Sequence, residues 1–190
     1  GSRSESPLDH KKFIDLEVDI TNPIEIQSFF EEVANDTEVV DVLVNSAGFF
    51  ELNSVKDTER ESFKSHLETN VIAHFDILKE FESFIIMGET HIFNLFSISS
   101  KATFVNTLAH TASENAKKAM LNVFEKEWAK YQIRFTNFFL VAVKTPMWGE
   151  YQNVEVDKML STEDFVYLFN SILNAPEHIK FPDITMIHKE

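Results

Sequence analysis

Residues 92–100 read IFNLFSISS, residues 110–121 HTASENAKKAML and residues 133–147 IRFTNFFLVAVKTPM, and these three pieces decide the fold. The first and third are apolar runs bounded by polar turns, the pattern of strands buried on both faces. The middle piece opens a helix on which His110 and Glu114 stand one turn apart and share a face. Ser97 closes the first strand. A serine at the carboxyl end of a strand, with polar groups on the following helix, is the layout of a site built at the carboxyl ends of parallel strands.

The rest of the chain extends this alternation. Residues 1–12 form a polar lead-in, and FIDLEVDI at 13–20 alternates as a strand does. Thr21 is a candidate N-cap with Pro23 early in the next helix, which runs through 24–34 until Asn35-Asp36 breaks it. VVDVLV at 39–44 predicts a buried parallel strand ended by Asn45-Ser46-Ala47-Gly48. The spacing of Phe63, Leu67, Val71, Phe75, Leu78 and Phe81 predicts one long helix over 58–84. Further helices are expected at 109–130 and from Ser161 or Thr162 to Leu173, with strands at 91–96, 133–143 and 179–187 and a loop at 148–160. Strands alternating with helices imply one α/β domain over 13–190 with a mostly parallel sheet.

Composition limits the function. The 190 residues carry a formal net charge of −14, which disfavours nucleic acid and anionic membranes as partners. There is no cysteine, so disulfides, thiolate metal sites and a cysteine nucleophile are out, and a reducing cytoplasmic compartment is the expectation. No apolar run reaches the roughly 18 residues that span a bilayer. The four glycines, Gly1, Gly48, Gly88 and Gly149, are too scattered for a Gly-rich phosphate loop.

Several segments resemble the short-chain dehydrogenase/reductase family. Val18-Asp19-Ile20-Thr21 is similar to its D-V-T segment, Asn45-Ser46-Ala47-Gly48 to N-N-A-G and Thr145-Pro146-Met147 to T-P-M. Asn70 in LETNVIAHF matches the helix asparagine of the family's proton relay, and Ser97 its catalytic serine. Ile133-Arg134-Phe135 resembles I-R-V, and the ending SILNAPEHIKFPDITMI resembles the tail of some members. The resemblance implies a Rossmann-like three-layer fold lacking the first strand and the Gly-rich loop. It also implies cofactor-binding positions at Asp19, Asn45, Ala47, Gly48 and Thr145, and catalytic positions at Asn70, Ser97, His110 and Glu114.

The register carries the departures. The family places a tyrosine thirteen residues after the serine and a lysine four residues later, and those positions hold His110 and Glu114. A shifted register would put Ser113 and Lys117 there, at the expense of a one-turn deletion. The family's Pro-Gly after the sixth strand is Leu140-Val141. Carbonyl reduction needs a positioned acid, and a carboxylate beside the ring favours protonated histidine while removing the cationic helper. The expectation is therefore a family member degenerate as an enzyme, a binding or oligomerisation module with no cofactor of its own. The alternative is an NAD(P)H-dependent carbonyl oxidoreductase of which this chain is a portion, binding NAD(P)H once a Gly-rich segment is supplied. A Ser97-His110-Glu114 hydrolase is a lesser alternative, since serine here has no G-x-S-x-G elbow. His110 and Glu114 offer only two ligands, so no metal site is expected. By the same resemblance, helices 58–84 and 109–130 would form a homodimer across a two-fold axis, and a different protein partner is also open.

Overall fold

Four parallel strands organise the chain in the computed structural model, which describes residues 10–151 and 155–188. They are β1 (Val42–Asn45), β2 (His91–Ser97), β3 (Arg134–Leu140) and β4 (Asp183–Met186), side by side in chain order. Each parallel step needs a crossover, and helices supply it. The helices are α1 (Pro23–Asp36), α2 (Arg60–Leu67), α3 (Ala73–Phe81), α4 (Leu108–Glu127) and α5 (Thr162–Leu173).

The central strands are apolar on both sides because both sides are covered. Ile92, Phe96, Phe135 and Phe139 meet Leu78, Phe81 and Leu121 from α3 and α4 in one core. On the opposite face Phe93 and Phe138 pack with Ile172, Phe165 and Phe169 of α5. The result is a three-layer, Rossmann-like α/β fold, as the alternation predicts. Each fully buried aromatic contributes about 1.5–3 kcal/mol, and Phe81, Phe93, Phe138 and Phe139 are all of this kind.

One polar row crosses this core. Asn45, Asn94, Asn137 and Asp183 are register partners on successive strands. Asn45 Nδ2 donates to Asn94 Oδ1 (2.8 Å), Asn94 Nδ2 to Asn137 Oδ1 (3.0 Å) and Asn137 Nδ2 to Asp183 Oδ1 (3.2 Å). Each amide answers its neighbour, which is how three buried asparagines escape an unpaired-group penalty.

Several expectations are corrected. Residues 13–20 form no strand beyond a single bridge at Glu17, because alternation makes a strand only where a neighbour pairs with it. The N-cap of α1 is Asn22, whose Oδ1 accepts from Ile24 N (3.1 Å); Thr21 instead donates its N–H and its hydroxyl to Asp19 Oδ1. That helix also runs on through Asn35-Asp36. The long helix over 58–84 is α2 and α3 joined by a π turn at Glu68–Ile72. The strands at 39–44, 133–143 and 179–187 are shorter than their apolar runs, and the 148–160 stretch holds short 3-10 turns at Pro146–Glu150 and Val156–Lys158. Ser161 caps α5 through a reciprocal pair with Asp164. Most of the lead-in, with residues 152–154 and 189–190 of the predicted domain, lies outside the described residues.

Candidate active site

The carboxyl ends of β1, β2 and β3 open onto a cavity of about 510 Å³. Its polar lining comprises Asn70, Ser97, Ser99, Thr107, His110, Glu114, Lys117 and Thr145, with Gly48 and Ala47 at the rim of β1. Phe50, Phe96, Leu140, Val141 and Trp148 supply apolar walls. Of the candidate positions, Ala47, Gly48, Asn70, Ser97, His110, Glu114 and Thr145 all line this cavity. Asp19 lies apart, turned onto Thr21, and Asn45 points into the asparagine row.

Glu114 is held where a carboxylate is least expected. It sits on α4 facing the sheet, its Oε2 accepting from Ser97 N–H (2.6 Å) and its Oε1 paired with Lys117 Nζ (2.6 Å). Both side chains are only 3% exposed. Lys117 also donates to Leu95 O (3.1 Å) and lies over the Phe96 ring. A buried carboxylate needs such partners, since a desolvated unpaired charge is far costlier than an unmade neutral hydrogen bond. The i,i+3 spacing of Glu114 and Lys117 was visible in the sequence, but which of two adjacent lysines turns inward was not.

His110 does not join this pair. Its ring packs edge-on against Phe50 (4.8 Å between centroids) and lies 6.1 Å from His66. Among the described residues its Nδ1 has no hydrogen-bond partner. Burial pushes the His110 pKa below its ordinary value; Glu114 pulls the other way but by less, and His66 and Lys117 add to the depression. Glu114 does favour the protonated ring, but desolvation is the larger effect and sets the net direction. Nor does a hydrolytic triad form, since Ser97 Oγ accepts from Ser99 N (3.1 Å) and Glu114 faces the Ser97 backbone.

Asn70 sits in the π turn between α2 and α3, fully buried. Its Oδ1 accepts from Phe49 N (2.7 Å), and its Nδ2 donates to Phe49 O (2.9 Å) and to Ser113 Oγ (2.9 Å). Both amide hydrogens are therefore used to clamp the loop after β1 onto α4. Ser113, from the shifted register, serves this clamp and does not line the cavity, whereas Lys117 does. His66 went unremarked in the sequence: its Nδ1–H donates to Ser62 O (2.8 Å) and its Nε2 accepts from Glu51 N (3.2 Å).

The sequence profile described as "short chain dehydrogenase" matches residues 4–155. The chain belongs to this family. An uncharacterized oxidoreductase of Staphylococcus haemolyticus is 29% identical over 172 residues, spanning 88% of this chain and 73% of that relative. The NAD-dependent glycerol dehydrogenase of Listeria innocua is 26% identical over 157 residues, 80% of this chain and 62% of that one. Among solved structures, an alcohol dehydrogenase from Thermococcus sibiricus in complex with 5-hydroxy-NADP superposes with a TM-score of 0.82 at 19% identity, covering 91% of this chain and 73% of that one. The short-chain dehydrogenase fold is therefore shared well beyond sequence identity. Among the described residues no helix is long and apolar enough to cross a membrane.

Proposed function

We propose that this short-chain dehydrogenase-like chain keeps the family's scaffold and cavity but has lost its reductive chemistry, and that it serves as a binding or oligomerisation module. The observation that carries this reading is the Glu114 carboxylate, bonded to Ser97 N–H and Lys117 at the position where the resemblance expects a free cationic lysine. Delivering a proton to a developing alkoxide takes an acid whose pKa lies near the working pH. His110 is depressed by burial, which leaves its ring deprotonated at neutral pH. Lys117 is committed to Glu114, and both Asn70 hydrogens are committed to Phe49 and Ser113.

The residues present also do not fit a nicotinamide dinucleotide. A pyrophosphate cradle uses successive backbone N–H groups freed by clustered glycines; here Gly48, Gly88 and Gly149 belong to separate loops. Leu140 and Val141 put branched side chains on the cavity wall where the resemblance expects Pro-Gly. Asp19, Asn45 and Thr21 are supported as structural groups by their hydrogen bonds within the chain. For a module of this kind the dimer through 58–84 and 109–130 is the natural assembly, since Ile72, Phe75 and Val123 are exposed apolar residues on those helices.

The second reading, an NAD(P)H-dependent carbonyl oxidoreductase completed by a Gly-rich segment, is favoured by the cavity itself, which still gathers Ser97, Asn70, His110 and Thr145. Calorimetric titration with NADH and NADPH separates the two. No binding is expected up to millimolar cofactor, and a micromolar Kd overturns the degenerate reading. The double variant His110→Tyr, Glu114→Lys is likewise expected to show no carbonyl reductase turnover.

A further inference from the structure

The cavity of about 510 Å³ has a charge balance that its polar lining conceals. Among the described residues that line it, only Glu114 and Lys117 carry a formal charge, in a chain that holds 48 acidic and basic residues. Those two lie 2.6 Å apart and cancel. The second carboxylate oxygen is taken by Ser97 N–H, and the ammonium also donates to Leu95 O, so both ends are answered within the chain. A charged ligand entering this cavity loses its hydration and meets no counter-ion, which is prohibitive for an anion or a cation alike.

The mouth of the cavity is apolar as well. Leu52, Phe104, Val105 and Met147 all line it, yet they are 38%, 51%, 87% and 50% exposed. Phe104 and Val105 do not stand out by accident of a loose loop. The next residue, Asn106, holds φ 62°, in the left-handed region that costs a residue with a side chain. Two contacts keep that turn in place: Thr107 Oγ1 donates to Phe104 O (2.8 Å), and Asn53 N donates to Asn106 O (2.9 Å) from the loop after β1. The backbone thus fixes two apolar side chains in water at the rim of a mostly apolar cavity, an arrangement that a bound apolar surface offsets. The lining itself is continuous, from Ser46–Phe50 after β1 across Leu140–Val143 at the end of β3 to this rim.

We infer that the cavity holds one uncharged, mostly apolar small molecule, which lies across Leu140 and Val141 and rests its outer end on the collar of Leu52, Phe104, Val105 and Met147. The inference rests on the reading of this chain as a binding module and gives that module its ligand class. The volume suits a ligand of about drug size, largely enclosed. Its few polar atoms meet the hydroxyls of Ser97 and Thr145, which donate or accept as required and add no charge. Selectivity then has two sources: the cancelled ion pair rejects ionised head groups, and the collar rewards a molecule long enough to reach it.

The test titrates Nile red, an uncharged fused-ring dye, into the full chain and follows its fluorescence. Saturable binding of one dye per chain is expected. Methyl decanoate should displace it, whereas decanoate and decylammonium, with the same apolar chain and an ionised head, should do so at least tenfold more weakly. Phe104→Ser and Val105→Ser alter exposed positions, so folding is spared, and each should weaken the dye about fivefold. Val123→Ser removes a half-exposed valine of α4 that does not line the cavity, and should leave binding unchanged. The inference is overturned if the ionised chains compete as well as the ester, or if Val123→Ser weakens the dye as much as Val105→Ser does. NADH added to the dye complex separates the two readings. If NADH expels the dye at micromolar concentration, the module reading falls and this inference with it; if neither dye nor NADH binds, this inference alone falls.

Discussion

The buried Glu114–Lys117 pair makes the most demanding prediction. Removing one member leaves the other charge desolvated without its counter-ion, which costs about 3–5 kcal/mol. Lys117→Met strands the carboxylate on the single Ser97 N–H; Glu114→Gln keeps an acceptor for Ser97 but strands the ammonium. Removing both charges together relieves both penalties, so the double variant should lie within about 1 kcal/mol of the parent, far from additive. Urea unfolding provides the assay. With a slope of about 2 kcal/mol/M, each single change moves the midpoint down by roughly 1.5–2.5 M. The surface pair Lys64–Glu61, with side chains 57% and 75% exposed, is the control, and breaking it should cost less than about 1 kcal/mol. If Lys117→Met shifts the midpoint no more than Lys64→Met does, the ion pair is not buried as described, and the account of Glu114 falls with it.

Other consequences are quicker to state. Burial, with Lys117 nearby, lowers His74 from 6.5 to about 3, so between those values the unfolded chain takes up a proton that the native chain refuses. Stability should therefore fall as pH drops below 6.5, by about 1.4 kcal/mol per unit for this group, and His74→Gln should flatten the pH dependence by one proton; an unchanged slope counts against it. Asn94→Leu orphans the Asn45 amide and the Asn137 carbonyl at once, and thermal unfolding should register a loss of about 2–4 kcal/mol. Gln132 holds φ 57°, where a side chain is strained. Gln132→Gly should thus be neutral or slightly stabilising, and a loss above about 1 kcal/mol in the same assay would contradict that.

The fold was legible because its signals are local. The apolar runs of β2 and β3, the capping serine at 161 and the periodicity of α4 each declare themselves within a dozen residues. What escaped depends on distance. FIDLEVDI has the right alternation but no described strand to pair with. Within the site, Ser97 and His110 were placed by spacing alone, whereas the partner of Glu114 required knowing which side of α4 meets the sheet. The asparagine row joins residues 43 to 49 positions apart, and register alone reveals it. Its trace in the sequence is faint: one asparagine inside each of the apolar runs IFNLF and RFTNFF.

The π turn at Glu68–Ile72 has a mechanical consequence. An α-helix advances about 100° per residue, so one extra residue in a turn is a dislocation that shifts everything on one side out of phase with the other. A dislocation can glide along a helix unless something pins it. Asn70 is the pin, with three hydrogen bonds to the loop after β1 and to α4. Without it, the defect can move or heal by swinging α2 around its axis, carrying His66 away from Glu51. The residue that family resemblance reads as part of a proton relay here also locks the phase of a helix.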